Sequence, residues 1–183
     1  MTDPLPGGPD ALKAAPGTIA DDAHVKVLVA DYAGADAGGK LNIVGAGLLQ
    51  MVRILTPGGP GLPPCSIVVM VNIPAKWANA VITVEVALYA VGATDPVMVP
   101  NPVTGDKTAI RMAQTLVLPA PQAPGIPIGV LPITANVLLA VGPGAPVEAG
   151  QAYEWRAKID GHGHQSWRHV FFTQVEQTGP VVG

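Results

Sequence analysis

The densest set of residues that could do chemistry is Asp160-Gly161-His162-Gly163-His164, with His169 five positions on. Two imidazoles at i and i+2 fall on one face of a strand, where they can share one metal ion. Metal-assisted hydrolysis is the chemistry that would follow. A working site also needs a third ligand and partners that orient each ring. His24 or His169 could supply the third, but nothing in the spacing puts either one there. The flanking glycines instead read as a hairpin turn between the last two strands. No metal is therefore expected at His162, His164 or His169, and no cofactor elsewhere.

Two glycine-rich segments invite a nucleotide reading and fail it. Residues 34–41 approach a phosphate-binding loop, yet Leu41 stands where a Mg²⁺-binding hydroxyl is required. The segment that follows reads as a strand, so no helix N-terminus faces a phosphate. A hairpin loop is the simpler reading. Gly45-Ala46-Gly47 has two glycines of a dinucleotide fingerprint and lacks the third, which reads as a bulge or sharp bend.

Nucleophiles are scarce. Ser66 and Ser166 are the only serines, and neither sits in a nucleophile elbow. Cys65 enters an apolar strand after two prolines and is expected to be a buried, inert thiol. Glu85 lies within a strongly apolar strand, on the face expected to meet solvent. Trp77 and Trp167 could form a stacking platform for a sugar if exposed. The alternation of Tyr153, Trp155 and Ile159 argues for core packing of the late aromatics.

The elements that must position these residues are strands. Segments 24–31, 66–73, 81–91 and 153–160 alternate or run apolar, as do 108–118, 128–141 and 167–175. A long run at 40–55 is broken by Gly45 and Gly47. In 81–91, Ile82, Val84, Val86 and Leu88 share one face. Only 74–80 suggests a helical turn. About eight strands with Pro/Gly-rich loops predict an all-β chain, an antiparallel β-sandwich. The expected organisation is an extended arm at 1–23, a sandwich at 24–176 and a tail at 177–183.

Composition sets the outer limits. The chain has 183 residues, 49 % hydrophobic and 13 % charged, with 22 Gly and 20 Pro. That apolar fraction supports a packed domain rather than a disordered one. A net charge of −3 with ten Lys+Arg excludes a strongly basic nucleic-acid binder. One cysteine excludes an internal disulfide. The start of the chain has no basic, apolar pattern of a signal peptide, and the longest apolar run, 126–141, is interrupted by prolines and short of a spanning helix. No membrane association is expected. Heavy use of Ala, Val, Gly and Pro suits a GC-rich genome.

Two segments together resemble an uncharacterised bacterial family common in actinobacteria. Val29-Ala-Asp-Tyr-Ala33 followed by Gly39-Lys-Leu-Asn-Ile-Val-Gly-Ala-Gly47 is similar to its opening. Tyr153-Glu-Trp-Arg156, Ile159-Asp-Gly161 and Trp167-Arg168 are similar to its end. The resemblance covers roughly 24–175 and implies one β-domain without an assigned activity. The chain departs from it in the proline arm, the enlarged loops and the His162/His164 segment. Within the motif, Asp31 and Lys40 are expected to pair across the first hairpin, and Asn42 to cap a turn.

These readings favour a non-enzymatic assembly protein. Its best-specified form is a bacteriophage virion component, a head-decoration or accessory capsid protein that stabilises a protein shell through loops and arms. The virion, or otherwise the bacterial cytoplasm, is the expected location. Its partner would be a capsid protein or a second copy of the chain. The expected contact residues are Pro4, Pro6, Pro9 and Pro16 in the arm, and Pro57, Pro60, Leu62 and Pro63 in the loop at 56–64. A small-molecule or glycan-binding sandwich and a metal-dependent enzyme built on His162/His164 are the alternatives.

Overall fold

The computed structural model describes residues 17–174, apart from 38, 102, 103, 121–124, 126, 128 and 129. The arm prolines Pro4, Pro6, Pro9 and Pro16 lie outside the described residues, as does the tail at 177–183. Strands dominate the described chain, and helix is confined to short turns. In order it forms α1 (Ile19–Asp22), β1 (His24–Ala30), β2 (Tyr32–Ala35), β3 (Leu41–Val44), β4 (Gln50–Val52), β5 (Ile54–Thr56), β6 (Gly59–Gly61), β7 (Cys65–Ile73), β8 (Val81–Ala90), β9 (Met98–Pro100), β10 (Lys107–Ala109), β11 (Arg111–Val117), β12 (Ile133–Val141), β13 (Ala152–Ile159) and β14 (His162–Gln174). A 3-10 turn at Ala75–Trp77 stands where a helical turn is expected.

Two sheets carry the domain. One has the order β1-β7-β12, the other β11-β8-β13-β14-β4. All pairings are antiparallel except β4 on β14, where Phe172 lies opposite Gln50 and Gln174 opposite Val52. Three two-stranded hairpins complete it: β2-β3, β5-β6 and β9-β10. Among the described residues no helix is long and apolar enough to cross a membrane.

The period-2 pattern decides which side of each strand is buried. Val27, Val29, Ile67, Val69, Val71, Ile133 and Val137 face inward from the smaller sheet. Ile82, Val84, Val86, Leu88, Tyr153, Trp155, Ile159, Trp167 and Phe171 answer from the larger one. This is a β-sandwich, and the late aromatics are its filling.

Several expectations are refined. The run at 40–55 is three strands, the first two separated where Gly45 and Gly47 adopt positive φ and the last two at Arg53. Residues 19–22 are a short helix rather than extended chain. Thr18 and Asp21 close a capping box around it, and Asp22 accepts the Trp77 indole N–H at 2.8 Å. Lys76 adds an ion pair to Asp22 at 2.6 Å. Lys76 first, then the Trp77 hydrogen bond, hold the Asp22 carboxyl below its usual range.

Asp31 and Lys40 do not pair across the first hairpin. The register sets Tyr32 opposite Val44 and Ala35 opposite Leu41, so the two residues flank opposite ends of it. Asp31 instead lies beside Gly45. Lys40 presents its backbone N–H to Asp36 at 2.8 Å, and Asn42 reaches the Lys40 carbonyl at 3.4 Å.

Candidate binding groove

The outer face of β13 and β14 holds the densest polar constellation of the described chain. Glu154, Arg156 and Lys158 alternate along β13 on the side away from the core. Across the ladder, Arg156 lies directly opposite Arg168. Like charges at opposed positions repel and need a counter-charge. Glu154 supplies it. Its carboxylate is 0 % exposed although it sits on the outer face. Oε1 accepts from Arg156 Nε at 2.7 Å, and Oε2 accepts from Arg168 Nη1 at 2.9 Å.

Arg156 is held on two further sides. Its guanidinium lies 4.2 Å from the Tyr89 ring centroid, and Nη2 donates to the Ala93 carbonyl at 2.9 Å. These contacts explain why Tyr89, on the outward face of β8, is nevertheless buried. Arg168 is less confined. Nη1 binds Glu154, and its Nε–Nη2 edge makes no hydrogen bond within the described chain.

A large bulge shapes the space beside these arginines. Arg156 pairs with Arg168 and Lys158 pairs with Gly163, so Ala157 alone faces four residues, His164–Trp167. The extra chain carries His164 and Gln165 over the sheet. A groove of about 480 Å³ results, lined by Glu154, Arg156, Lys158, His164, Gln165 and Arg168 among others. The Ser166 backbone N–H donates to His164 Nδ1 at 3.2 Å. The neutral ring therefore carries its proton on Nε2.

The turn before this segment is Asp160-Gly161, both residues at positive φ, as a tight hairpin requires. His162 and His164 are consequently strand residues, not turn residues. They line a second hollow with Asp21 and His24. No three His, Cys, Asp or Glu among the described residues converge to hold a metal. His169 lies apart from them, buried, with Nε2 2.9 Å from the Leu48 carbonyl.

The remaining sequence candidates fall elsewhere. Cys65 is buried; burial first, then the Asp31 carboxylate, pushes its thiol up from 9.0 to about 11. Glu85 is half-exposed and reaches Arg111 at 3.9 Å. Trp167 is buried and gives a sugar no free ring face. Trp77 is half-buried, with Lys76 Nζ 5.5 Å from its ring centroid. In the proline loop, Pro57 and Pro60 are exposed and Pro63 is half-buried. Leu62 is fully buried and cannot be a contact residue. The chain there returns through the β5-β6 hairpin, and backbone hydrogen bonds to Ala145 and from Gly144 pull Leu62 inward.

No family model, curated protein or solved structure matches the chain.

The site is thus described by its own chemistry. Glu154, Arg156 and Arg168 belong to the Tyr-Glu-Trp-Arg and Trp-Arg segments noted in the sequence, which gives those segments a physical role. The buried ion triad itself was not anticipated. Alternation places Glu154 outward with the other polar residues, and only the cross-strand register brings two guanidiniums over it. A carboxylate two residues before one arginine, with a second arginine in the next strand, is the signal that was present.

A second surface lies at the other end of the same face. Phe172 and Val170 point outward from β14, and its edge neighbour β4 adds Val52. Leu49 accepts from the Phe172 backbone N–H at 2.8 Å and stands 68 % exposed. Leu55 on β5, three residues beyond Val52, is 76 % exposed.

Proposed function

We propose that the chain is a non-enzymatic assembly protein that docks on a protein shell through the apolar strip of Leu49, Val52, Leu55, Val170 and Phe172. The observation that carries this reading is the exposure of Val52, Val170 and Phe172 on the outer face at the β4 edge of the larger sheet, with Leu49 and Leu55 exposed in the chain on either side of β4. Scattered exposed leucines are ordinary, whereas a contiguous patch marks an interaction surface. The strip is flanked by a strand of only three residues, so little backbone is offered for sheet extension and side chains would carry the contact.

The specific form we favour is a bacteriophage virion component, a head-decoration or accessory capsid protein from a phage of a GC-rich actinobacterial host. Docking at junctions between shell subunits would stabilise the shell by mass action, binding the assembled state in preference to the free subunits. The resemblance to the actinobacterial family belongs to this reading. Pro57 and Pro60, exposed in the β5-β6 hairpin that carries Leu55, are the further contact residues of this reading.

Co-sedimentation with purified phage shells tests it, comparing the chain with its Leu55→Glu and Phe172→Glu variants. The wild-type chain is expected in the pellet at a fixed ratio to shell subunits, with both variants left in the supernatant. A wild-type chain that stays in solution with every shell tried, or variants that pellet equally well, overturns the reading.

A further inference from the structure

We propose that the groove between Arg156, Lys158, His164 and Arg168 is a binding site for a dianionic phosphoryl group of a small molecule. This goes beyond the assembly reading and stands on different residues.

The chain holds ten Lys+Arg and is net negative, yet Arg111, Arg156, Lys158 and Arg168 share one sheet face. Within the groove, Glu154 neutralises one of its two arginines and leaves one positive charge. Lys158 adds a second. It lies opposite Glu85 across the β8 ladder, but forms no ion pair there, and Glu85 reaches Arg111 instead. Among the described residues Glu154 is the only acid lining the groove, and both its oxygens are occupied by the arginines. Two uncompensated positive charges therefore face the same space, which matches a dianion.

Geometry supports the same ligand. The Arg168 Nε–Nη2 edge is a planar two-donor fork without a partner among the described residues, and such a fork fits two oxygens of an oxyanion. Lys158 supplies a third donor from β13, and His164 Nε2–H a fourth from the bulge. A carboxylate has two oxygens in one plane and a single charge. A phosphoryl group offers three oxygens on a tetrahedron, which suits donors arriving from β13, from β14 and from the bulge at its start. Arg156 is locked by Glu154, Tyr89 and Ala93, and Arg168 is anchored through Nη1, so the site is organised before the ligand arrives and little ordering cost remains. Its volume of about 480 Å³ leaves room for the rest of a small phosphate ester.

The test follows the backbone amide resonances of Gly163, His164 and Gln165 at low salt, above the second phosphate pKa. Inorganic phosphate, ribose 5-phosphate and acetate are added in turn. The first two are expected to shift these resonances saturably, and acetate about tenfold more weakly, the factor that one lost charge contact of about 1.4 kcal/mol carries. Tighter binding of the ester identifies a phosphorylated metabolite as the ligand, and tighter binding of inorganic phosphate identifies the free ion. Lys158→Gln, which breaks no ion pair, should weaken phosphate about tenfold. Arg168→Lys keeps the charge against Glu154, removes the fork, and should weaken it as well. Unmoved resonances, equal response to acetate, or an unchanged affinity in folded Lys158→Gln overturns the proposal.

Discussion

Glu154 holds two opposed arginines with one carboxylate, so removing its charge leaves a cross-strand guanidinium pair with nothing between. Breaking a buried ion pair on one side costs about 3 kcal/mol or more. Glu154→Gln is expected to lower the urea midpoint accordingly, whereas Glu85→Gln at the exposed 3.9 Å pair should change stability by about 0.5 kcal/mol or less. Cys65 gives a second residue-scale expectation. Its thiol titrates near 11 in the fold against 9.0 ordinarily, so the folded state favours the neutral form. The resulting contribution is complete below pH 9 and declines as pH rises towards 11. The difference in urea midpoint between wild type and Cys65→Ala, followed over that interval, should shrink with rising pH. At pH 8 the native thiol should resist alkylation that the unfolded chain accepts at once. The inert, buried character of Cys65 was legible from two prolines and an apolar run. The role of Glu154 was not, because alternation reports which side of a strand a residue takes and not what closes over it.

At the scale of elements, side-chain alternation carried most of the information. Ile82, Val84, Val86 and Leu88 line the core as their period requires, and Tyr153, Trp155 and Ile159 meet them from β13. Breaks in the pattern were legible where glycine marks them, as at Gly45 and Gly47. The loop at 56–64 misled for a physical reason. Its prolines and glycines report backbone restriction and freedom, and both a free loop and a tight hairpin need them. Here they build β5-β6 and a close backbone crossing. A Cβ at Gly61 would lie 2.6 Å from the Gly144 carbonyl carbon, a backbone atom that cannot rotate away. Gly61→Ala is therefore expected to cost about 2 kcal/mol, as overpacking at a rigid contact does. Gly58→Ala, with only Thr56 Oγ1 nearby at 3.9 Å, serves as the control. Thermal unfolding of the two variants separates the close crossing from a general effect of losing glycine. The four-against-one bulge of β14 belongs to this scale too, and no local signal announces it. It follows from the jump in register between the turn-proximal pair Lys158–Gly163 and the next pair, Arg156–Arg168.

For the whole molecule, one sheet face is divided between two chemistries. The cationic groove occupies the early part of β14 and the apolar strip its end, so the two surfaces can be tested independently. Phosphate should stabilise the wild-type fold without altering shell co-sedimentation, and Leu55→Glu should abolish co-sedimentation without altering phosphate response. The first and last strands of the sandwich set a further property. His24 at the start of β1 lies with Ser166 and Trp167, while Val29 near its end accepts from Leu48, whose carbonyl meets His169. β1 and β14 thus run side by side in the same sense, so His24 at the start of β1 and Gln174 at the end of β14 lie at opposite ends of the domain. A pull applied between those two residues draws the two strands past each other lengthwise. All seven β1–β7 residue pairs, from His24–Asn72 to Ala30–Ser66, would then share the load at once instead of parting one by one. Forced unfolding reports the height of that barrier rather than equilibrium stability. Pulled between His24 and Gln174, the domain is expected to give way in a single high-force step, which single-molecule force spectroscopy reads directly.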